Sequence, residues 1–406
     1  MGFAAKIFPV AALLAVALAP SQLAVDVGGV HVAVGELLLL PAFALGLLAR
    51  RLARPPAECL ALVALVAIST AFAPKKAVAA AELVQTGLYF VVAWSVVAGA
   101  MRDEKWRRVA AAVFVASGSV SVAIALWQYF APSPDVFPLN LREALCVRGL
   151  FSNNNVLSGY LALLAPFAFA MALGAKSWRT RIPLLAVAVC SLSVILSGPA
   201  LAAACLALSA LAFGCRKWLG TLVTAALIAL FIFAAPYTPR DNFTEAVTSA
   251  LPYRVDDGAV AYAEGATLEW RAGDPARRYP EWQAATMMAL ERPLVGIGPG
   301  AYQKSVGAYY DAVPRATGPN EPDTQNLYLV MASTMGLPAL AAFLAILAAS
   351  FAAGIRSDDA RGAAAAVAAF AVAAIFHPLL VRGVGIPLVF VLAFARAGAR
   401  AGADNR

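Results

Sequence analysis

Residues 152–174 read S-N-N-N-V-L-S-G-Y-L-A-L-L-A-P-F-A-F-A-M-A-L-G and hold no charged side chain. A helix rises about 1.5 Å per residue, so a run of this length crosses the ~30 Å hydrocarbon layer of a bilayer. Alanine and leucine dominate it, which favours helix. A membrane barrel would show short alternating segments instead. The rest of the chain repeats the pattern. Of 406 residues, 62% are hydrophobic and 13% charged, with mean hydropathy +0.76. So few charges do not cover the surface of a soluble domain. We count about twelve spans, near 7–24, 34–49, 57–73, 80–101, 108–130, 152–174, 182–197, 199–214, 218–236, 325–354, 362–380 and 384–398. Only Ser197-Gly198-Pro199 separates the pair within 182–214. The run 325–354 exceeds one straight crossing, so part of it is expected to tilt or to lie at the surface. The expected fold is an all-α polytopic membrane protein.

Basic residues orient the chain. With the N-terminus inside, the inside loops collect Arg50, Arg51 and Arg54, then Arg102, Lys105, Arg107 and Arg108, then Lys176, Arg179 and Arg181, then Arg216 and Lys217, and last Arg356 and Arg361. The short outside loops hold only Lys75, Lys76 and Arg382. Both termini are therefore expected in the cytoplasm, with 131–150 and 237–324 outside. Lys6, an apolar run and the small residues Ala17 and Ala19 also resemble a signal peptide. Its removal would disturb the charge alternation, so we read this segment as a retained span. The organisation is then 1–236 with helices one to nine, a loop 237–324, and 325–406 with helices ten to twelve. The five cysteines show neither a disulfide framework nor metal-ligand spacing, and His31 and His377 are too few for a metal site. The net charge of +8 sits mostly in inside loops. It reports topology and contact with the lipid bilayer rather than nucleic acid.

The long loop breaks the apolar pattern. Residues 275–291, P-A-R-R-Y-P-E-W-Q-A-A-T-M-M-A-L-E, read as an amphipathic helix whose apolar side holds Trp282, Ala285, Met288 and Leu290. Asp274 would cap it and Pro275 suits its first turn, unless Pro280 moves the start to Tyr279. G-I-G-P-G at 296–300 lacks the lysine of a phosphate-cradling loop and reads as a tight turn against a helix. The outside loops gather Arg142, Arg148, Arg240, Arg254, Arg271, Arg277, Arg278, Arg292 and Arg315. Guanidinium forks suit diphosphates, so this set fits a lipid-diphosphate substrate; a solvated helix face is the plainer reading. His377 and Arg382 lie in or between the last two spans, as functional candidates or as groups reaching the surface. Asn153-Asn154-Asn155 either caps a helix or lines a polar cavity, with Asn155 the candidate ligand contact.

Taken together, G-L-F-S-N-N-N-V-L-S-G-Y-L, R-Y-P-E-W, P-L-V-G-I-G-P-G and T-Q-N-L-Y-L with M-G-L-P-A-L resemble the O-antigen ligase and polymerase superfamily. The resemblance covers most of the chain from about residue 148 onward. It implies a metal-independent, cofactor-free glycosyltransferase of GT-C-like fold in the bacterial inner membrane, with a large periplasmic loop between helices nine and ten. Such enzymes take a glycan from an undecaprenyl diphosphate carrier at the periplasmic face and pass it to a lipid, glycan or protein acceptor. Arg278 matches the family's loop arginine, and Asn326 the asparagine of its His-Asn pair. Two positions depart from the pattern: the family histidine reads Gln325, and an arginine expected after Ser197 reads Gly198. Glutamine carries no titratable proton, so it can orient a hydroxyl but not deprotonate it. The base would then be Asp323, Glu321 or Glu281, and Arg148 or Arg382 would replace the missing arginine. Arg278, Gln325, Asp323 and Glu281 are thus the catalytic candidates. Arg142, Arg148, Asn155, Arg254, Arg271, Arg277, Arg315, Asn326, His377 and Arg382 are the candidates for substrate binding.

Three functions are compatible with this pattern. One is a polymerase or ligase using a lipid-linked glycan. A second is a non-catalytic relative that binds such a glycan or scaffolds an assembly machine. A transporter is the third, although its helices would need polar residues at mid-membrane depth.

Overall fold

A computed structural model describes residues 2–21, 24–27, 30–130, 149–151, 154–196, 275–310, 324, 326–375, 377–380 and 383–404. Helix α1 (Gly2–Leu18) ends in a short 3-10 turn, Ala19–Ser21. A hairpin follows, β1 (Ala24–Val27) antiparallel to β2 (Val30–Ala33), with Val27 facing Val30 across the turn. Then come α2 (Val34–Leu48), α3 (Ala57–Phe72), α4 (Lys76–Gly87), a π-helical stretch Leu88–Ala93, α5 (Trp94–Ala100) and α6 (Glu104–Phe130). They are followed by α7 (Asn154–Gly174) and α8 (Trp178–Leu196). After the long loop come α9 (Pro275–Glu291), the short α10 (Tyr302–Ser305) and α11 (Gly307–Tyr310). The chain closes with α12 (Leu327–Met335), α13 (Leu337–Gly354), α14 (Arg361–Ala373) and α15 (Gly385–Asp404).

Five described helical stretches are long and apolar enough to cross a membrane: Gly2–Ser21, Lys76–Ala100, Glu104–Gln128, Val156–Gly174 and Leu337–Gly354. The protein is an α-helical membrane protein. Helix is the form that satisfies every backbone N–H and C=O within one segment when no water is at hand. Prolines 9, 41, 166 and 183 lie inside α1, α2, α7 and α8, and neighbouring helices make up for the lost bonds in a membrane bundle. The expected spans 199–214 and 218–236 fall outside the described residues.

Two expectations are corrected here. The first helix stops at Leu18 and gives way to a 3-10 turn, and Ala24 already lies in a strand. The run 325–354 is two helices, broken at Gly336, whose φ of +90° no helix continues. Helix α9 spans 275–291 as expected, starting at Pro275 with Pro280 inside it.

Small and aromatic residues make the core. Gly362 to Ala366 on α14 press against α7, where a Cβ added at Gly362 would lie 2.6 Å from the Ala170 Cβ. Small residues allow this close approach where lipid tails remove the usual hydrophobic drive. Phe114 of α6 stacks on Phe390 of α15 at 4.7 Å and meets Phe167 of α7 edge-on at 5.3 Å. Among the described residues, one ionic contact is largely covered by the bundle. Arg396 of α15 bonds Glu58 of α3 at 2.5 Å and the Ser350 hydroxyl of α13 at 2.9 Å, with its guanidinium 5.2 Å from the Trp94 ring. The charged turns gather at this end: Arg51 pairs with Asp103 at 3.3 Å, and Arg102 donates to the Leu52 carbonyl at 2.9 Å. The opposite end carries the loop and the candidate site.

Candidate functional site

The site is built around the first turn of α12. Asn326 is extended (φ −157°, ψ 111°) and its side-chain oxygen accepts from the Leu329 N–H at 3.1 Å, an N-cap. Leu327 N–H donates to the Ala374 carbonyl at 2.8 Å, and the Tyr328 hydroxyl to the Ala371 carbonyl at 2.6 Å. These bonds tie the start of α12 to the end of α14. His377 follows Ala374 by three residues and is buried, its carbonyl accepting from Leu379 N–H at 2.9 Å. Asn326 and His377, far apart in sequence, are thus brought to one end of the bundle.

Three amides of this helix start are already engaged. Asn326 N–H donates to Thr324 O at 2.6 Å, Leu327 N–H to Ala374 and Leu329 N–H to Asn326. The N-terminus of α12 therefore offers little to an anion, and holding one would fall to side chains. The Thr324 hydroxyl is fully buried and has no partner among the described residues.

The glycine turn clamps α9 to this helix. Gly296 takes φ +64°, and a Cβ there would sit 2.3 Å from the Thr334 carbonyl carbon. Ile297 N–H and Gly298 N–H donate to the carbonyls of Ser333 and Thr334 at 2.9 and 3.0 Å, and Leu337 N–H donates back to Pro293 at 2.7 Å. From α3, the Ser69 hydroxyl reaches both Val295 O at 2.5 Å and Thr334 O at 3.2 Å. The turn continues over Ala73, Val78 and Glu82, which Cβ atoms at Gly298 and Gly300 would meet at under 3 Å. The motif is thus the close backbone contact expected from its glycines, and four elements meet at it. Ser69 was not a sequence candidate. A lone serine in an apolar helix carries no signal until its partner loop is known.

A small core sits beneath the clamp. Ala284, Ala285 and Met288 of α9 bury with Ile297, Ala301, Tyr302 and Val306, against Leu329 of α12. Leu290 is not on this side, being 70% exposed, and Trp282 is half-buried; Ala284 and Ala289 take the inner places. Glu281 is buried at 4% exposure on the inner face, one turn before Ala284 and Ala285. Beside them Glu291 accepts from the Tyr309 hydroxyl and lies 3.8 Å from Arg292. Burial, then that hydrogen bond and the carboxylate charge, push the Tyr309 phenol up to about 12.

Of the sequence candidates, Glu281, Asn326 and His377 have described side chains, and all three are buried at this end. Arg277 and Arg278 lie on the first turn of α9 and Asn155 on the first turn of α7, without described side chains. Arg142, Arg148, Arg254, Arg271, Arg315, Asp323, Gln325 and Arg382 lie outside the described residues, as does Gly198.

No curated protein matches the chain. Residues 185–344 match the family model for O-antigen ligase, an interval that holds Arg278, the glycine clamp, Gln325 and Asn326. Over residues 185–344 of its 406 the chain is thus similar to the O-antigen ligase and polymerase superfamily, and the apolar helical bundle agrees with that likeness.

Proposed function

We propose that the protein is a membrane glycosyltransferase that moves a glycan from an undecaprenyl diphosphate carrier to an acceptor hydroxyl at the periplasmic face. The supporting observation is that the interval matching O-antigen ligase holds both α9 and α12 and the glycine turn that joins them. Its arginine-bearing helix α9 is clamped by backbone bonds to α12, whose cap is Asn326. In the reaction the bond from the sugar's anomeric carbon to the diphosphate oxygen breaks, and a bond to the acceptor oxygen forms. The departing diphosphate gains negative charge and needs no proton. Cations at that oxygen lower the barrier most, and Arg278 takes this role with Arg277 beside it. The acceptor proton passes to a carboxylate, Asp323 or Glu281, because Gln325 holds a hydroxyl without taking its proton. His377 and Asn326 orient the acceptor.

Polymerisation fits better than ligation to a lipid core, since the family's ligases rely on the histidine that Gln325 replaces. That glutamine also favours a second reading, in which the chain binds lipid-linked glycan without turning it over. A strain whose only copy carries Arg278→Ala separates the two. The enzyme predicts accumulation of lipid-linked precursor and loss of finished glycan. Unchanged glycan assembly would overturn the transferase reading.

A further inference from the structure

The side of α9 turned away from α12 changes character along its length. Near its middle the outward residues are polar, Gln283 and Thr286, both exposed. From Met287 (36% exposed) onward they are apolar, with Leu290 (70%) and, beyond the helix, Leu294 (71%). Leu294 adjoins the start of α13: its carbonyl oxygen lies 2.4 Å from where a Gly336 Cβ would stand, and Pro293 O accepts from Leu337 N–H at 2.7 Å. Leu337 is itself 47% exposed, and Leu344 two turns on is exposed too. Both lie on the uncovered flank of a helix that is long and apolar enough to span the membrane. The ridge Met287–Leu290–Leu294 is therefore continuous with a lipid-facing stripe.

We infer that α9 is a membrane-dipping helix whose C-terminal end sits in the acyl layer of the leaflet on the site's side. Between Gln283 and Leu294 the charged side chains are Glu291 and Arg292, each about half exposed, and their pairing at 3.8 Å lowers the cost of holding them near lipid. Arg277 and Arg278 stand at the other end of the helix, about 18 Å from Leu290 at 1.5 Å per residue. The helix thus runs from head-group level to hydrocarbon. This depth goes beyond the transferase reading, and where that reading holds it has a consequence. A diphosphate joined to a lipid tail lies at the head-group level, where the arginine end of α9 is held.

The test uses the full-length protein in lipid nanodiscs made with a phospholipid that bears a photoreactive diazirine on its acyl chain. After irradiation and digestion, adducts are located by mass spectrometry. Met287, Leu290 and Leu294 should carry acyl adducts at a level comparable with Leu344. Gln283, about 10 Å further along the same face, should carry roughly tenfold fewer. Labelling of Leu344 with none at 287–294 would overturn the inference, as would equal labelling at Gln283 and Leu290. So would protein–protein cross-links showing a second copy of the chain seated on the ridge. No glycan substrate is present, so this result is independent of whether the protein transfers sugar.

Discussion

The side-chain oxygen of Asn326 is committed to the Leu329 N–H, so this residue carries a structural role beside any role toward substrate. Replacing an N-cap asparagine by alanine costs about 1 kcal/mol, and serine caps almost as well. Asn326→Ala should therefore lower thermal stability in detergent by that amount, and Asn326→Ser should restore it. If asparagine also orients the acceptor, the serine variant stays slow although it melts like the wild type. Tyr309 gives a pH prediction. Its folded pKa, about 12, lies above the ordinary 10.0, so the folded state holds the proton more tightly than the unfolded state. That contribution is complete below pH 10 and is lost as pH rises through about 12. Alkaline melting of Tyr309→Phe should decline less steeply than wild type across that window. At this scale the sequence was only partly legible. Met288 and Ala285 were placed correctly, whereas Leu290 was assigned to the inner face. Helical spacing reveals an apolar side only when the other side is polar, and here the outer side turns apolar as well. Arg278 and Gln325 could be named only by resemblance, since neither periodicity nor charge separates a ligand arginine from a solvated one.

Among elements, the break between α12 and α13 carries the most. The M-G-L-P motif was visible, and Pro338 suits the first turn of a new helix. That Gly336 ends α12 at φ +90° depends on Leu294, whose carbonyl oxygen fills the space beside it. Gly336→Ala combines a disfavoured backbone with a clash and should cost at least about 2 kcal/mol. Limited proteolysis should then cut within 292–301 in the variant and spare the wild type. The hairpin 24–33 was legible but unread: A-V-D-V-G-G-V-H-V-A has alternating valines around a two-residue glycine turn. Counting apolar residues alone ended the first span at its first residue, Ala24, and left the rest as a connection.

At the scale of the whole molecule, the Arg396–Glu58 contact joins α15 to α3 at the end remote from the site, with Ser350 of α13 as third partner. Removing one member leaves a half-buried charge without its partner. Arg396→Met should destabilise the bundle by about 1–2 kcal/mol, and the double change with Glu58→Leu should cost less. Thermal denaturation of the three variants in one detergent checks this. The helical membrane class followed from hydropathy alone, because a bilayer accepts few backbone forms. The transferase reading rests on chemistry that hydropathy does not carry, and one measurement addresses it most directly. Purified protein in nanodiscs is given undecaprenyl diphosphate-linked oligosaccharide, and released undecaprenyl diphosphate is followed together with glycan length. The wild type should release the carrier in step with glycan transfer, and Arg278→Ala should slow both by about 100-fold or more. Binding of the lipid-linked glycan without release, or equal rates for the two proteins, would contradict the account.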